Sequence, residues 1–341
     1  MQSPATPAEL AAALRTLADA RRPIRLGGNF SKDRWGGPCA AGEVVSTSSM
    51  RRLLAYDPRD LTISVEAGMP FAELQRVLTE HRQMLPLDPP WLSEGTVGGV
   101  VAANLSGPLR RQYGTARDMI IGMTFATLEG KLIASGGMVV KNVAGLDMAK
   151  LLIGSFGTLA AIAVVNFKVF PMPQAWRTFV WTLGTLVEAF AMRDRILQSP
   201  LQPAAIDIVS DAGKFTLAVR AGGNRAMLER WSRELTGANV LDGDEDATYW
   251  AEQREFTSRF LAANPRGAVV PIHVKQSEML AVTKALEAPF VARAGSGVIY
   301  AHYRENAPGP VFASGFEMMA KVKAMFDPEH LLNRGRLYGR L

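Results

Sequence analysis

The stretch TVGGVVAANLSG, residues 96–107, constrains this chain more than any other. Two adjacent glycines open a run of small residues that closes on Asn104, Ser106 and Gly107. A backbone kept that bare admits close approach by a ligand such as a pyrophosphate. A second bare turn, RLGGNFSK at 25–32, precedes it, and a third, Gly154–Gly157, follows. Consecutive N–H groups at such turns make a concave anion site that needs no lysine. Arg110, Arg111, Arg117 and Lys141 stand nearby in sequence and could offset an anion's charge. The two familiar phosphate loops are absent: no G-x-G-x-x-G follows a strand, and no G-x-x-x-x-G-K-[ST] occurs. Each turn alone reads equally well as a tight bend. Three in order, with the proline break MLPLDPPW at 84–91 between them, point to a dinucleotide.

The elements around these turns are short and mixed. Thr6 caps a first helix with Pro7 at its opening position, Glu9 closing a capping box and Leu10, Leu14 and Leu17 on one face. Ile24 and Leu26 begin a strand, and DLTISVEAG (60–68) alternates as another. Pro70 starts a helix with Phe71, Leu74, Val77 and Leu78 on one side. MTFATLEGKLIASGG (123–137) is a hairpin turning at Glu129-Gly130, and TLAAIAVVNFKVFP is a strand closed by Pro171. This is not the steady alternation of a doubly wound sheet. After Pro171-Met172-Pro173 the rhythm becomes βαββα with a further strand at ANVLDG, as in ferredoxin-like folds. Strands follow over 268–303, then a last helix and a tail. The expected class is α+β: residues 1–173 as one domain, 174–310 as a ferredoxin-like cap, and 311–341 returning to the first domain.

Composition narrows the function. The 341 residues, 48% hydrophobic, suffice for about two domains. A net charge of +6 with scattered Lys and Arg gives no nucleic-acid footprint. Cys39 is the single cysteine, which excludes an intrachain disulfide, a cysteine-based zinc site and an iron–sulfur cluster held within the chain. It predicts a reduced, cytoplasmic setting. His81, His273, His302 and His330 have no metal-ligand spacing, so no metal is expected. The N-terminus lacks a signal-peptide pattern, and no apolar run is long enough to span a membrane.

In order and wording these segments resemble the vanillyl-alcohol-oxidase/PCMH family of flavoproteins. The resemblance runs from RLGGNFSK through DLTISVEAGMPFAEL, the proline turn, GTVGGVVAANLSG and YGTARDMIIGM to LIGSFGTLAAI. The tail FDPEHLLNRGRLYG resembles the family's closing segment. It implies a PCMH-type FAD-binding domain of two α+β subdomains. Carried over, Gly27, Gly28, Asn29, Phe30 and Ser31 would face the pyrophosphate. Pro89, Thr96, Gly98, Gly99, Asn104 and Ser106 would line the other side of the cofactor. Gly157, Thr158, Ala161 and Ile162 would approach the ribityl chain and ring, with Asn333 reaching the ring from the tail. Phe156 stands where the family often has Glu, Ala160 where it has Gly, and Arg334 where its tail has Pro. The first loop contains no histidine, so non-covalent FAD is implied. Length and wording sit nearest the FAD-binding subunits of bacterial glycolate oxidases. That implies a sister FAD-containing subunit, an iron–sulfur subunit, and a complex oxidising glycolate to glyoxylate. It also implies peripheral placement at the inner membrane through those partners.

Oxidising a 2-hydroxy acid requires a grip on the carboxylate and a group that takes the hydroxyl proton. Catalytic relatives carry patterns like G-H-x-G-D-G-N-x-H in the cap. The matching place here is ARAGSGVIYAHY (292–303), where Gly295 and Gly297 survive, Ser296 replaces the acid, and only a displaced His302 remains. His302 with Tyr300 is the best candidate base, and Arg220 and Arg293 are candidates for the carboxylate. Two functions stay open. The chain is either an accessory, electron-transferring flavin subunit or a self-sufficient FAD-dependent oxidoreductase of a small 2-hydroxy acid.

Overall fold

The structure, a computed structural model, describes residues 1–138, 147–211, 213–305, 307–308 and 315–339. Its N-terminal half is built on a five-stranded antiparallel sheet. In spatial order the strands are Leu53–Asp57, Thr62–Glu66, Ala161–Lys168, Ile120–Ala126 and Leu132–Gly136. The strand Ala161–Lys168 serves both faces, and a register shift against Ile120–Ala126 beside Ala163 resets its alternation. Ala161 and Ala163 meet Leu10, Leu14 and Leu17 of the Pro7–Asp19 helix, while Ile162, Val165 and Phe167 join the core beneath Leu74 and Leu78 of the Phe71–Glu80 helix. Small alanines on the first face let that helix lie close to the sheet. Thr6 caps it through the Glu9 N–H, but the Glu9 carboxylate accepts from Ala5 N–H at 2.9 Å, so the expected capping box is displaced by one residue. A parallel pair, Ile24–Gly27 with Glu43–Ser46, stands beside this core.

The 96–107 stretch differs from the open loop its composition suggests. Val97–Ala102 is a six-residue helix whose N-cap, Thr96, accepts from Gly99 N–H at 3.2 Å. The valines at 97, 100 and 101 are fully buried and hold that helix in place despite its two glycines.

The C-terminal half carries a seven-stranded antiparallel sheet. Its first four strands in space are Asn239–Asp242, Ala175–Leu183, Lys214–Gly223 and Ala205–Asp211. That is the 4-1-3-2 order of a ferredoxin-like βαββαβ unit. Helices Leu186–Gln198 and Arg225–Glu234 cover one face through Phe190, Leu228 and Trp231 against Phe179, Leu217 and Val219. Phe290–Arg293, Val298–Tyr303 and Ala268–His273 extend the sheet beyond the unit. The other face is polar at Thr178, Asp207 and Arg220, and the Gly243–Arg254 helix lies on it. Trp250 Nε1 donates to Thr178 Oγ1 at 2.6 Å, and Arg220 pairs with Asp246 at 2.5 Å.

Candidate functional site

The glycine turns meet around one cleft. Gly27, Gly28, Asn29, Phe30 and Ser31 form one wall, Thr96, Gly98 and Gly99 another, and Gly157, Ile162 and Asn333 close it. The strand Ile24–Gly27 delivers the first wall, and Phe30, at φ 56°, turns the chain sharply after it. Among the described residues, none accepts from the backbone N–H groups of Asn29, Phe30, Ser31 or Lys32. Consecutive free N–H groups beside a left-handed residue make a nest for an anion.

The glycines divide into two kinds. A Cβ on Gly28 would lie 2.3 Å from Thr96 Oγ1, one on Gly98 2.8 Å from Ala67 Cβ, and one on Gly107 2.0 Å from the Asp88 carbonyl oxygen. These positions are bare because chain packs on chain. Gly99 is different: a Cβ there meets Thr96 Oγ1 at 3.2 Å and Lys32 Nζ at 3.8 Å. The helix start also spends its donors internally, Val97 N–H on Met69 O at 2.9 Å and Gly98 N–H on Ala67 O at 2.7 Å. The 96–107 segment therefore shapes the cleft, and the free anion donors come from the first loop.

Asn333 ties the tail to that loop. Its Oδ1 accepts from Leu26 N–H at 2.7 Å, and its Nδ2 donates to Leu26 O at 3.0 Å and to Phe156 O at 2.7 Å. With Ile24 N–H on Leu331 O at 2.8 Å and Asn333 N–H on Ile24 O at 2.9 Å, the tail docks along the free edge of Ile24–Gly27. Behind it, Lys323 Nζ donates to Thr158 O and Leu332 O and pairs with Asp327 at 2.5 Å, all fully buried. Cys39 stands outside the cleft wall, its thiol pushed up by burial and donating to Asn333 Oδ1 at 3.6 Å.

Several lining residues escaped the sequence reading: Lys32, Asp33, Thr47, Phe156 and Arg336. Arg336 is bound to the Asp33 carboxylate at 3.1 Å and to the carbonyls of Asp33, Trp35 and Gly37. The only local signal for Lys32 was its place at the end of RLGGNFSK. Arg110, Arg111 and Arg117 do not line the cleft, and Lys141 lies outside the described residues.

Five expected contact residues sit behind or beside the walls. Pro89 is buried away from the cleft, and Asn104, at φ 47°, is an exposed residue just past the Val97–Ala102 helix. Ser106 is buried with its hydroxyl unpartnered. Thr158 donates to Ser155 O at 2.7 Å, and Ala161 faces the first helix. His302 and Tyr300 do not line the cleft either. His302 is fully buried, packed edge-on against Phe256 and Phe260, with Nε2 3.1 Å from Thr257 Oγ1. Burial pushes it down to about 4. Tyr300 packs on Trp35, 5.9 Å between ring centroids. Arg293 is taken by buried Asp207. The described residues contain no metal-binding cluster of His, Cys, Asp and Glu.

Residues 2–136 match the FAD binding domain family. The chain carries an FAD-binding domain. The nest and the open side of Gly99 fit that cofactor. The chain is 33% identical over 236 residues to the glycolate oxidase subunit GlcE of Escherichia coli, covering 69% of this chain and 64% of that protein. It is 28% identical over 176 residues to the glycolate oxidase subunit GlcD of Bacillus subtilis, covering 51% and 37%. These matches span less than two thirds of either relative's length. An alkyldihydroxyacetonephosphate synthase structure superposes with a TM-score of 0.75 at 16% identity, covering 97% of this chain and 75% of that one. That likeness extends the fold of the FAD-binding domain and its neighbouring sheet over nearly the whole chain.

Proposed function

We propose that this chain is the accessory flavin subunit of a multi-subunit enzyme oxidising glycolate or a similar small 2-hydroxy acid, with substrate chemistry in a sister FAD-containing subunit. An iron–sulfur subunit would take the electrons onward. The observation that carries the accessory role is the enclosure of His302. An imidazole with a pKa near 4, shut between two phenylalanines, is a poor base for a hydroxyl proton at neutral pH. The similarity to GlcE and GlcD supports the substrate class and the multi-subunit assembly.

In this reading residues 1–173 with the 311–341 tail hold the cofactor, and 174–310 form a cap that meets a partner. FAD, when bound, supplies a two-electron acceptor. The first loop's N–H groups receive its pyrophosphate, Gly99 leaves it room, and Asn333 fixes the wall beside it. Attachment is non-covalent, since neither a histidine nor Cys39 lines the cleft. The setting is cytoplasmic, with any membrane contact made through partners. No described helix is long and apolar enough to cross a bilayer.

The test is a visible spectrum of the purified chain, recorded anaerobically before and after glycolate, followed by acid precipitation. The expected result is an oxidised flavin spectrum that glycolate leaves unchanged and yellow FAD in the acid supernatant. Bleaching by glycolate would overturn the accessory role in favour of a self-sufficient oxidoreductase. Colour retained in the pellet would overturn non-covalent binding.

A further inference from the structure

We propose that Lys32 supplies the positive charge that neutralises the pyrophosphate of bound FAD. The inference rests on the FAD-binding reading of the cleft and goes beyond the backbone contacts expected there. Lys32 lines the cleft and is nine-tenths buried. Among the described residues no carboxylate lies within ion-pair distance of its ammonium, and its hydrogen bond is to Ser31 Oγ at 3.1 Å. Arg336, the other cation of the lining, is already committed to Asp33 and three carbonyls. A buried ammonium without a partner is costly unless something anionic completes it.

The surroundings are arranged around that ammonium. A Cβ on Gly95 would stand 2.7 Å from Lys32 Nζ, so this glycine makes room for it. Gly99, the glycine of the Val97–Ala102 helix open to the cleft, is another neighbour of the ammonium. The nest of free N–H groups, Asn29 to Lys32, ends at Lys32 itself. The residues carrying those donors and the ammonium line the same cleft. The charged groups facing it are Glu255, just before the Phe256–Ala263 helix, and Glu94, just before the Val97–Ala102 helix, while Asp33 on its own loop is paired with Arg25 and Arg336. Burial outweighs the pull of Glu255 and Glu94 and brings Lys32 down to about 8.

The test uses the full chain, stripped of flavin, with Lys32→Met as the variant. Affinities are measured by calorimetry for FAD, for ADP as a pyrophosphate without a ring, and for riboflavin as a ring without phosphate. Losing a charge-assisted contact should weaken FAD and ADP roughly 10- to 100-fold and leave riboflavin unchanged. Wild-type FAD affinity should also fall above about pH 8 as the free ammonium deprotonates, whereas Lys32→Met should show no such step. The thermal midpoint of the apo variant should equal or exceed that of the wild type, because a lone buried charge has been removed. Unchanged FAD affinity in a folded variant would overturn the proposal. So would loss of riboflavin with ADP intact, which would put the ammonium at the ring. Wild-type protein that binds neither FAD nor ADP would overturn the reading of the cleft itself, together with this inference.

Discussion

Asn333 joins the tail, the first loop and the Gly157 turn, so its replacement tests whether the cleft is assembled by the tail. Asn333→Ala strands two buried groups, Leu26 N–H and Leu26 C=O, and the part-buried Phe156 C=O. An unpaired buried polar group costs about 1–3 kcal/mol, and some of this is recovered by water or relaxation. A loss of about 3–5 kcal/mol follows, a large part of the stability of an ordinary domain. Asn333→Asp separates hydrogen bonding from shape. One carboxyl oxygen keeps the contact to Leu26 N–H, while the other replaces a donor that lay 3.0 and 2.7 Å from two carbonyl oxygens. It must be protonated to donate there, so its folded pKa rises above the unfolded value of about 3.9. Stability from the protonated form is then fully present below that unfolded value and is lost as pH rises through the folded one. Urea unfolding at several pH values, with FAD content measured in parallel, reads both effects. Asn333→Asp should approach wild type in mild acid and fall toward Asn333→Ala at neutral pH. Both variants should lose flavin at neutral pH. A loss under about 1 kcal/mol in Asn333→Ala, or a pH-independent Asn333→Asp, would refute the bridging role.

Other substitutions separate packing from ligand contact. Gly98→Val drives a side chain into Ala67 and should yield unstable protein, whereas Gly99→Ala should fold and bind FAD more weakly, as measured by melting and flavin titration. His302 has a folded pKa of about 4 against 6.5 when exposed, so stability should fall as pH drops through that window. The step is on the order of 3 kcal/mol, and acid titration of His302→Gln should lack it. Lys323→Met leaves Asp327 buried without its cation and should cost about 3–5 kcal/mol in chemical denaturation.

The sequence was most legible where the determinants are local. Glycine turns, a proline break and period-two strands placed the loops, the hairpin at Gly130 and the ferredoxin-like unit before any contact was known. Lys32 and Arg336 were not legible as cleft residues, because their neighbours come from Gly95, Gly99 and Asp33 across turns that the sequence does not register. The bare loop was read as bare for a ligand throughout. In the structure Gly98 and Gly107 are bare for Ala67 and Asp88, and only a long-range contact distinguishes them from Gly99. The helix at 97–102 escaped for a related reason: its stability comes from burying three valines, against the local propensity of its glycines.

His302 shows how one strand can carry two environments. Tyr300 and His302 are two residues apart on Val298–Tyr303 and share a face of the sheet. Tyr300 reaches Trp35 of the flavin-binding half, while His302 lies beneath the Phe256–Ala263 helix. That helix is fastened at both ends. Burial pushes the Glu255 carboxyl up, but the Ser258 hydroxyl, the Leu92 and Trp91 N–H groups and Arg254 outweigh it and hold it below the usual range. Its two oxygens take Trp91 N–H at 2.9 Å and Leu92 N–H at 3.0 Å. At the other end Arg34 donates to the carbonyls of Leu261, Asn264, Pro265 and Gly267. A substrate approaching His302 would have to undo both fastenings and expose Phe256 and Phe260. The cover therefore belongs to the fold rather than to a loosely held lid, and any direct reduction of this flavin by a hydroxy acid must use a proton acceptor other than His302.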